Sequence, residues 1–117
     1  MALSTPKQRS KGTVLPAAVP TVVYTCPANF TAQIVLLVVS NKGSGNKTVT
    51  INWTDSSSGS SYSIVAGYTL SAYNFLKFDQ SYLVLNAGDT LTITSESGSS
   101  MDVTVTVEEY FDPASRQ

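Results

Sequence analysis

The sequence predicts an all-β protein: a single antiparallel β-sandwich or jelly roll of about eight short strands with an extended N-terminal arm. Apolar side chains recur with a period of two, short polar turns separate the apolar runs, and no long amphipathic helix can be drawn. The chain has 117 residues, of which 42% are hydrophobic and 13% charged. This composition is sufficient for one core and indicates one domain.

Alternation of apolar and polar side chains identifies the principal strands. Residues 101–108 place four apolar side chains on one face and four polar ones on the other, as in a half-buried strand. Residues 48–54 and 90–94 alternate in the same way and are rich in β-branched side chains. Residues 34–39 are apolar without alternation, which predicts a strand covered on both faces. Weaker runs complete the set at residues 22–26, 62–66, 74–78 and 82–85.

The turns are rich in Asn, Asp, Ser and Gly, the residues that tight turns prefer. Each turn lies where a hairpin or a crossing between sheets is expected. They comprise residues 41–46, 55–60, 86–89 and 97–100.

The first 20 residues differ in composition from the rest. Lys7, Arg9 and Lys11 are basic with no acid among them, and prolines at positions 6, 16 and 20 exclude a regular helix or a central strand. Such a segment buries little apolar surface, so we expect it to be mobile in isolation. Residues 1–20 are therefore predicted to form a basic arm, residues 21–110 the sandwich and residues 111–117 a short tail.

The two ends of the sequence have opposite charge. Glu108, Glu109 and Asp112 form an acidic cluster near the C-terminus, so the arm of one copy could lie against an acidic patch on a neighbour. Two solvated termini that keep the protein soluble are the alternative.

Charge, histidine and cysteine content exclude several functional classes. A net charge of -1 argues against direct nucleic-acid binding, and the absence of histidine removes Ser-His, Cys-His and His-metal chemistry. The single cysteine, Cys26, has no partner for an internal disulfide and is expected to be a buried residue at a strand end. Residues 1–11 lack the apolar run of a secretion signal, and residues 34–39 are too short to span a bilayer, so no membrane partner is expected.

The carboxylates give no specific pattern for catalysis or metal binding. Asp89 with Glu96, or Glu108 with Asp112, could be imagined as a catalytic pair, but acids in turns usually face solvent or cap a turn amide. A calcium site that includes Asp55, Asp79 or Asp89 lacks the required loop pattern. We therefore predict no catalytic residue, no cofactor and no metal.

Aromatic side chains are concentrated in the middle third of the chain. Trp53 shares the inward parity of Val49 and Ile51, which predicts a core position with the indole nitrogen on a loop carbonyl. The tyrosines are expected to be half exposed and to form a protein interface or, as the weaker alternative, a glycan surface. The tyrosines predicted for this surface are Tyr62, Tyr68 and Tyr73.

Four segments together carry a resemblance to a known family. They are YTCPAN at residues 24–29, INWTD at 51–55, LNAGDTL at 85–91 and the Val-Thr alternation of 103–107. In order and spacing they resemble small virion structural proteins of tailed bacteriophages, those of marine and cyanobacterial phages in particular, over residues 24–109. The resemblance implies a β-sandwich that decorates or cements a capsid, or sits in the neck, tail or baseplate, with no catalytic residues.

The predicted function is that of a non-enzymatic phage virion protein, a capsid decoration or cement protein that stabilises the particle. Its expected partners are the major capsid protein or neck and tail proteins, and copies of itself, in a virion assembled in the host cytoplasm. The arm would anchor it through Lys7, Arg9 and Lys11, and residues 19–24 could add as a strand to a neighbour. The alternative is a neck, tail, baseplate or fibre component that binds a host glycan through its tyrosines.

Overall fold

The computed structural model describes residues 6–79 and 83–111. These residues form nine strands and no helix. The strands are β1 (Lys7–Leu15), β2 (Thr21–Thr25), β3 (Phe30–Asn41), β4 (Lys47–Asp55), β5 (Ser60–Leu70), β6 (Phe75–Phe78), β7 (Leu83–Leu85), β8 (Thr90–Ser95) and β9 (Met101–Phe111). Tyr82, the first residue of a predicted strand, and residues 112–117 of the predicted tail lie outside the described residues.

The strands form two antiparallel sheets, which confirms the predicted all-β sandwich. Sheet A has the order β1-β9-β3-β6, with β7 also paired to β3, and sheet B has the order β2-β8-β4-β5. The pairing is nested along the chain. The first strand pairs with the last, β2 pairs with β8, β3 pairs with β6 and β7, and β4 pairs with β5.

The core lies between the sheets and follows the predicted alternation. In β9 the side chains of Met101, Val103, Val105 and Val107 are buried, while those between them are polar. Sheet B contributes alternate apolar residues of β4 and β8 to the same core. Burial of large aliphatic side chains on both inner faces is the main favourable contribution to such a fold.

The prediction that β3 is covered on both faces is wrong. Ile34, Leu37 and Val39 are fully buried, but Leu36 and Val38 on the opposite face are partly exposed. A register shift between Ile34 and Leu36 inserts one residue into the strand and interrupts the alternation. The continuous apolar run therefore reflects a bulged strand with one buried face, not a strand between two layers.

Within the segment predicted as an arm, residues 7–15 are extended and paired with β9 over nine residues. The ladder runs from Lys7 opposite Glu109 to Leu15 opposite Met101. Prolines at positions 6 and 16 flank the strand, and β1 is the outermost strand of sheet A, the position where flanking prolines are tolerated. Pairing within the chain satisfies backbone groups of β9 that would otherwise lie at the sheet edge.

Candidate functional site

The three cations predicted to anchor the protein lie on one side of β1, and we call them the basic edge: Lys7, Arg9 and Lys11. They stand opposite alternate residues of β9 whose side chains are buried. Directly opposite residues share one face of a sheet, so these cations project from the core-facing side. They remain exposed because β1 is the outermost strand of its sheet.

A buried carboxylate ties the basic edge to both sheets. Glu109 of β9 is only 6% exposed and accepts a 2.5 Å hydrogen bond from the Tyr24 hydroxyl of β2. Arg9 contacts the same carboxylate, with Nε 3.2 Å from Oε1 and Nη2 3.3 Å from Oε2. Burial, followed by the bond to Glu109, raises the pKa of Tyr24 well above its usual range. The network fixes the position of β1 relative to the sandwich.

In the sequence Glu108 and Glu109 belong to one acidic cluster, but in the structure Glu109 is buried and only Glu108 lies at the surface. Glu109 continues the inward parity of Val107, so its side chain points to the core while that of Glu108 points outward. A charged group at an inward position requires a partner. This rule, applied to the alternation of β9, would have identified Glu109 as a buried and paired carboxylate. Glu108 instead accepts hydrogen bonds from Gln8 and from Tyr110, whose pKa this bond raises.

The predicted tyrosine surface is spread along one sandwich edge. Tyr62 and Tyr68, each about half exposed, lie on the outermost strand β5 opposite Trp53 and Val49. The two partner residues on β4 are four positions apart, so the two tyrosines lie about 13 Å from each other along the strand direction. Tyr73 lies beyond the end of β5 in a loop, with a positive φ of 59°. The three rings therefore do not converge on one concave site.

Trp53 differs from its predicted role in two respects. It is half-buried and stacks against Tyr62, with ring centroids 5.4 Å apart. Its indole Nε1 donates to the carboxylate of Asp89 at 3.3 Å, not to a loop carbonyl. Asp89 is 1% exposed and also accepts hydrogen bonds from the backbone amides of Ser56 and Asn86. It therefore joins two loops. Of the two roles expected for acids in turns, Asp89 has the capping of a turn amide, that of Asn86, and it is buried rather than solvated.

The remaining candidate residues lie in separate contacts or outside the described part of the chain. Glu96 caps the Thr48 amide at 2.9 Å, and Asp112, the proposed partner of Glu108, lies outside the described residues. Within residues 6–79 and 83–111, no group of three or more potential metal ligands occurs, and no helix is long and apolar enough to cross a membrane. Cys26 is buried, as expected, and burial raises the pKa of its thiol to about 11.

Comparison with solved structures finds one chain with the same fold and a second chain with weaker similarity. A chain from Bacillus endospore appendages, described as disulfide-linked pili, has a TM-score of 0.55 and 14% identity over 92% of this chain and 88% of that one. A chain of infectious bursal disease virus, Gx strain, gives a TM-score of 0.47 and 14% identity over 97% of this chain and 39% of that one. No protein-family model matches the sequence, and no curated protein matches it. At such identities the likeness establishes the fold alone, so the tailed-phage family remains a prediction.

Proposed function

We propose that this protein is a non-enzymatic structural subunit that assembles with copies of itself and decorates or cements a phage virion. The observation that carries the proposal is the basic edge on β1. A nine-residue strand with three cations, exposed over its first six residues, lies at the border of a sheet, where a neighbouring molecule can contact it. A capsid surface or a second copy with acidic side chains is the partner that such an edge fits.

The nested pairing of strands supports this role. The first strand pairs with the last, and the inner strands pair inward in turn, which is the pairing expected if the chain is a jelly roll wrapped from one long hairpin. Jelly rolls are common in viral capsid domains, and also in lectins. The endospore-appendage chain belongs to pili, which are polymers of repeated subunits, and it supports self-association by analogy.

Localisation in particles tests the role directly. The chain is to be expressed in infected cells as wild type and as a Lys7→Ser, Lys11→Ser variant, and its copy number in purified particles measured. We expect the variant to fold but to be incorporated at reduced copy number, because two cations of the basic edge are lost. A Lys47→Ser variant, which removes one cation on an inner strand of sheet B, serves as the control. Absence of the wild-type chain from particles would contradict the proposal.

The exposed tyrosines support a second candidate, recognition of a host glycan by a tail or fibre component. Tyr62 is half exposed and stacks on Trp53, and such a platform suits the apolar face of a sugar. A glycan array probed with the wild-type chain and with Tyr62→Ala, Tyr68→Ala and Tyr73→Ala tests this role. Binding lost in Tyr62→Ala favours it, and no binding to any glycan removes it.

A further inference from the structure

Most of the contacts that hold β1 are made with β9, and smaller contacts join it to β2 and β8 of sheet B. Its nine residues pair with β9, and Ser10 and Thr106 share a 2.7 Å hydroxyl hydrogen bond across the ladder. Leu15 is the single buried residue of the strand. A β1 strand from a second copy would find the same partners on β9, including Glu109 for Arg9. Replacement of β1 by another copy's β1 therefore loses none of these contacts.

The connection from β1 to the rest of the molecule is strained. The backbone amide of Val19 donates to the carbonyl of Pro16 at 3.3 Å, which closes a turn whose third residue, Ala18, has a φ of 64°. This turn position favours Gly or Asn, because a Cβ is unfavourable at positive φ. The Ala18 side chain is exposed, so the closed turn is held by backbone contacts alone, chiefly the 2.8 Å hydrogen bond from the Ala18 amide to the Ser95 carbonyl of β8. Opening the turn returns this residue to an ordinary extended conformation.

The same segment is suited to act as an open linker. Pro16 and Pro20 fix φ near the extended range and bias the residues before them to extended conformations. Five extended residues span about 17 Å, enough to carry β1 away from its own β9. Strained, proline-containing hinges of this kind favour exchange of an end segment between copies.

Charge disfavours the simpler alternative, in which the free edges of two β1 strands pair. That arrangement would place Lys7, Arg9 and Lys11 of one copy beside the same cations of another, and like charges across a ladder are destabilising. Exchange avoids this repulsion, because each cation keeps its original neighbours on β9. The charges therefore select exchange over edge addition.

We infer that β1 is exchanged between copies of this chain, so that β1 of one copy occupies the β9 edge of the next. The inference rests on the self-association proposed above and specifies how it occurs. Mutual exchange gives a closed dimer, and sequential exchange from copy to copy gives a chain of subunits.

Disulfide trapping of the β1–β9 ladder tests the exchange. Ser10→Cys and Thr106→Cys are introduced together in a Cys26→Ala background, so that only the designed pair can form a disulfide. The protein is assembled at high concentration, oxidised, and analysed on a denaturing gel without reductant, with circular dichroism as the check on folding. We expect covalent dimers or ladders that reductant converts to monomer.

Two other results overturn the inference and are distinct from each other. Assemblies in sedimentation that yield only intrachain disulfides leave self-association standing and remove the exchange. A chain that sediments as a monomer at every concentration removes the proposed self-association together with the exchange.

Hinge variants give a test that needs no cysteine. Ala18→Gly relieves the strain of the closed turn and is expected to lower the exchanged fraction roughly tenfold per hinge, whereas Ala18→Val is expected to raise it. Ala17→Gly, one position earlier and without a positive φ, is the matched control. Identical oligomer distributions for Gly, Ala and Val at position 18 would overturn the role of the hinge.

Discussion

Glu109 is a carboxylate at a position where the alternation of β9 would otherwise place an aliphatic side chain. Two donors from different strands stabilise it, Tyr24 of β2 and Arg9 of β1, so one residue connects both sheets and the edge strand. A buried charge with one partner removed retains the cost of its desolvation. The effect of each partner can therefore be measured by removing that partner alone.

Tyr24→Phe tests the contribution of the hydroxyl. The variant keeps the ring in the core but leaves Glu109 with Arg9 alone, so we expect the free energy of unfolding to fall by about 1–3 kcal/mol. Urea denaturation of wild type and variant measures it. Tyr110→Phe, which removes a partly exposed hydroxyl bonded to Glu108, is the control and is expected to change stability less. Equal effects of the two variants would show that burial of Glu109 is unimportant.

The raised pKa of the Cys26 thiol predicts that the free energy of unfolding depends on pH in the alkaline range. Its folded pKa is about 11 against an ordinary value of 9.0, so the unfolded chain releases the thiol proton first as pH rises. Stability from this group is complete below pH 9.0 and declines towards pH 11 by about 2 kcal/mol. We expect Cys26→Ala to lose less stability over this interval, measured by denaturation at several pH values. Parallel curves for the two proteins would contradict this linkage.

At the scale of elements, β9 and β1 show what sequence can and cannot predict. The valines of β9 alternate with polar residues, so period alone identified the strand and its buried face. In β1, Lys7–Leu15, seven polar or glycine residues precede Val14, and this composition gives no periodic signal. The strand forms because β9 offers it a partner about 90 residues away in the chain, and such long-range information is absent from a local pattern.

The loops show the same division. The composition of residues 86–89 predicted a turn correctly, because Asn, Gly and Asp are the residues that turns require. Burial of Asp89 was not predicted. It depends on contacts with Trp53 of β4 and with Ser56 of the following turn, and these contacts exist only in the folded state. Local chemistry thus predicts where the chain turns, and tertiary contacts decide which turn residues are buried.

Asp89→Ala measures how much the hydrogen bonds of this carboxylate contribute to the free energy of unfolding. The substitution leaves the indole of Trp53 and the amides of Ser56 and Asn86 without their acceptor, and we expect a loss of roughly 3 kcal/mol in unfolding free energy. Thermal denaturation with Trp53 fluorescence reports both stability and the indole environment. Asp55→Ala, at the end of β4 where the carboxylate accepts hydrogen bonds from Ser57 of the same turn, should lower the melting temperature much less. A small effect at Asp89 would mean that solvent replaces its hydrogen bonds.

At the scale of the whole molecule, each sheet ends in edge strands that must be protected from indiscriminate pairing. β5 carries two register shifts against β4, and β1 carries inward-pointing cations. Bulges and inward charges are both known to prevent edge-to-edge association. The inward cations of the basic edge therefore protect it from unspecific addition, and in the proposed function the same cations contact an acidic partner.

Lys11→Thr tests the protective role. The variant adds a β-branched neutral residue to an exposed edge, so we expect it to associate at lower concentration than wild type, as measured by light scattering. Lys47→Thr makes the same change of charge on an inner strand and should leave association unaltered. If both variants scatter alike, net charge rather than edge protection governs solubility.

The ladder between β1 and β9 has a geometric consequence. Lys7 stands directly opposite Glu109, so the first and last described strands enter and leave the body at one corner of sheet A. A short peptide joining these two points would close the backbone into a ring, and a new opening could then be cut in a distant polar turn such as residues 55–60. The fold thus lends itself to circular permutation, and any cargo tethered at this corner would be displayed from a single point on each subunit.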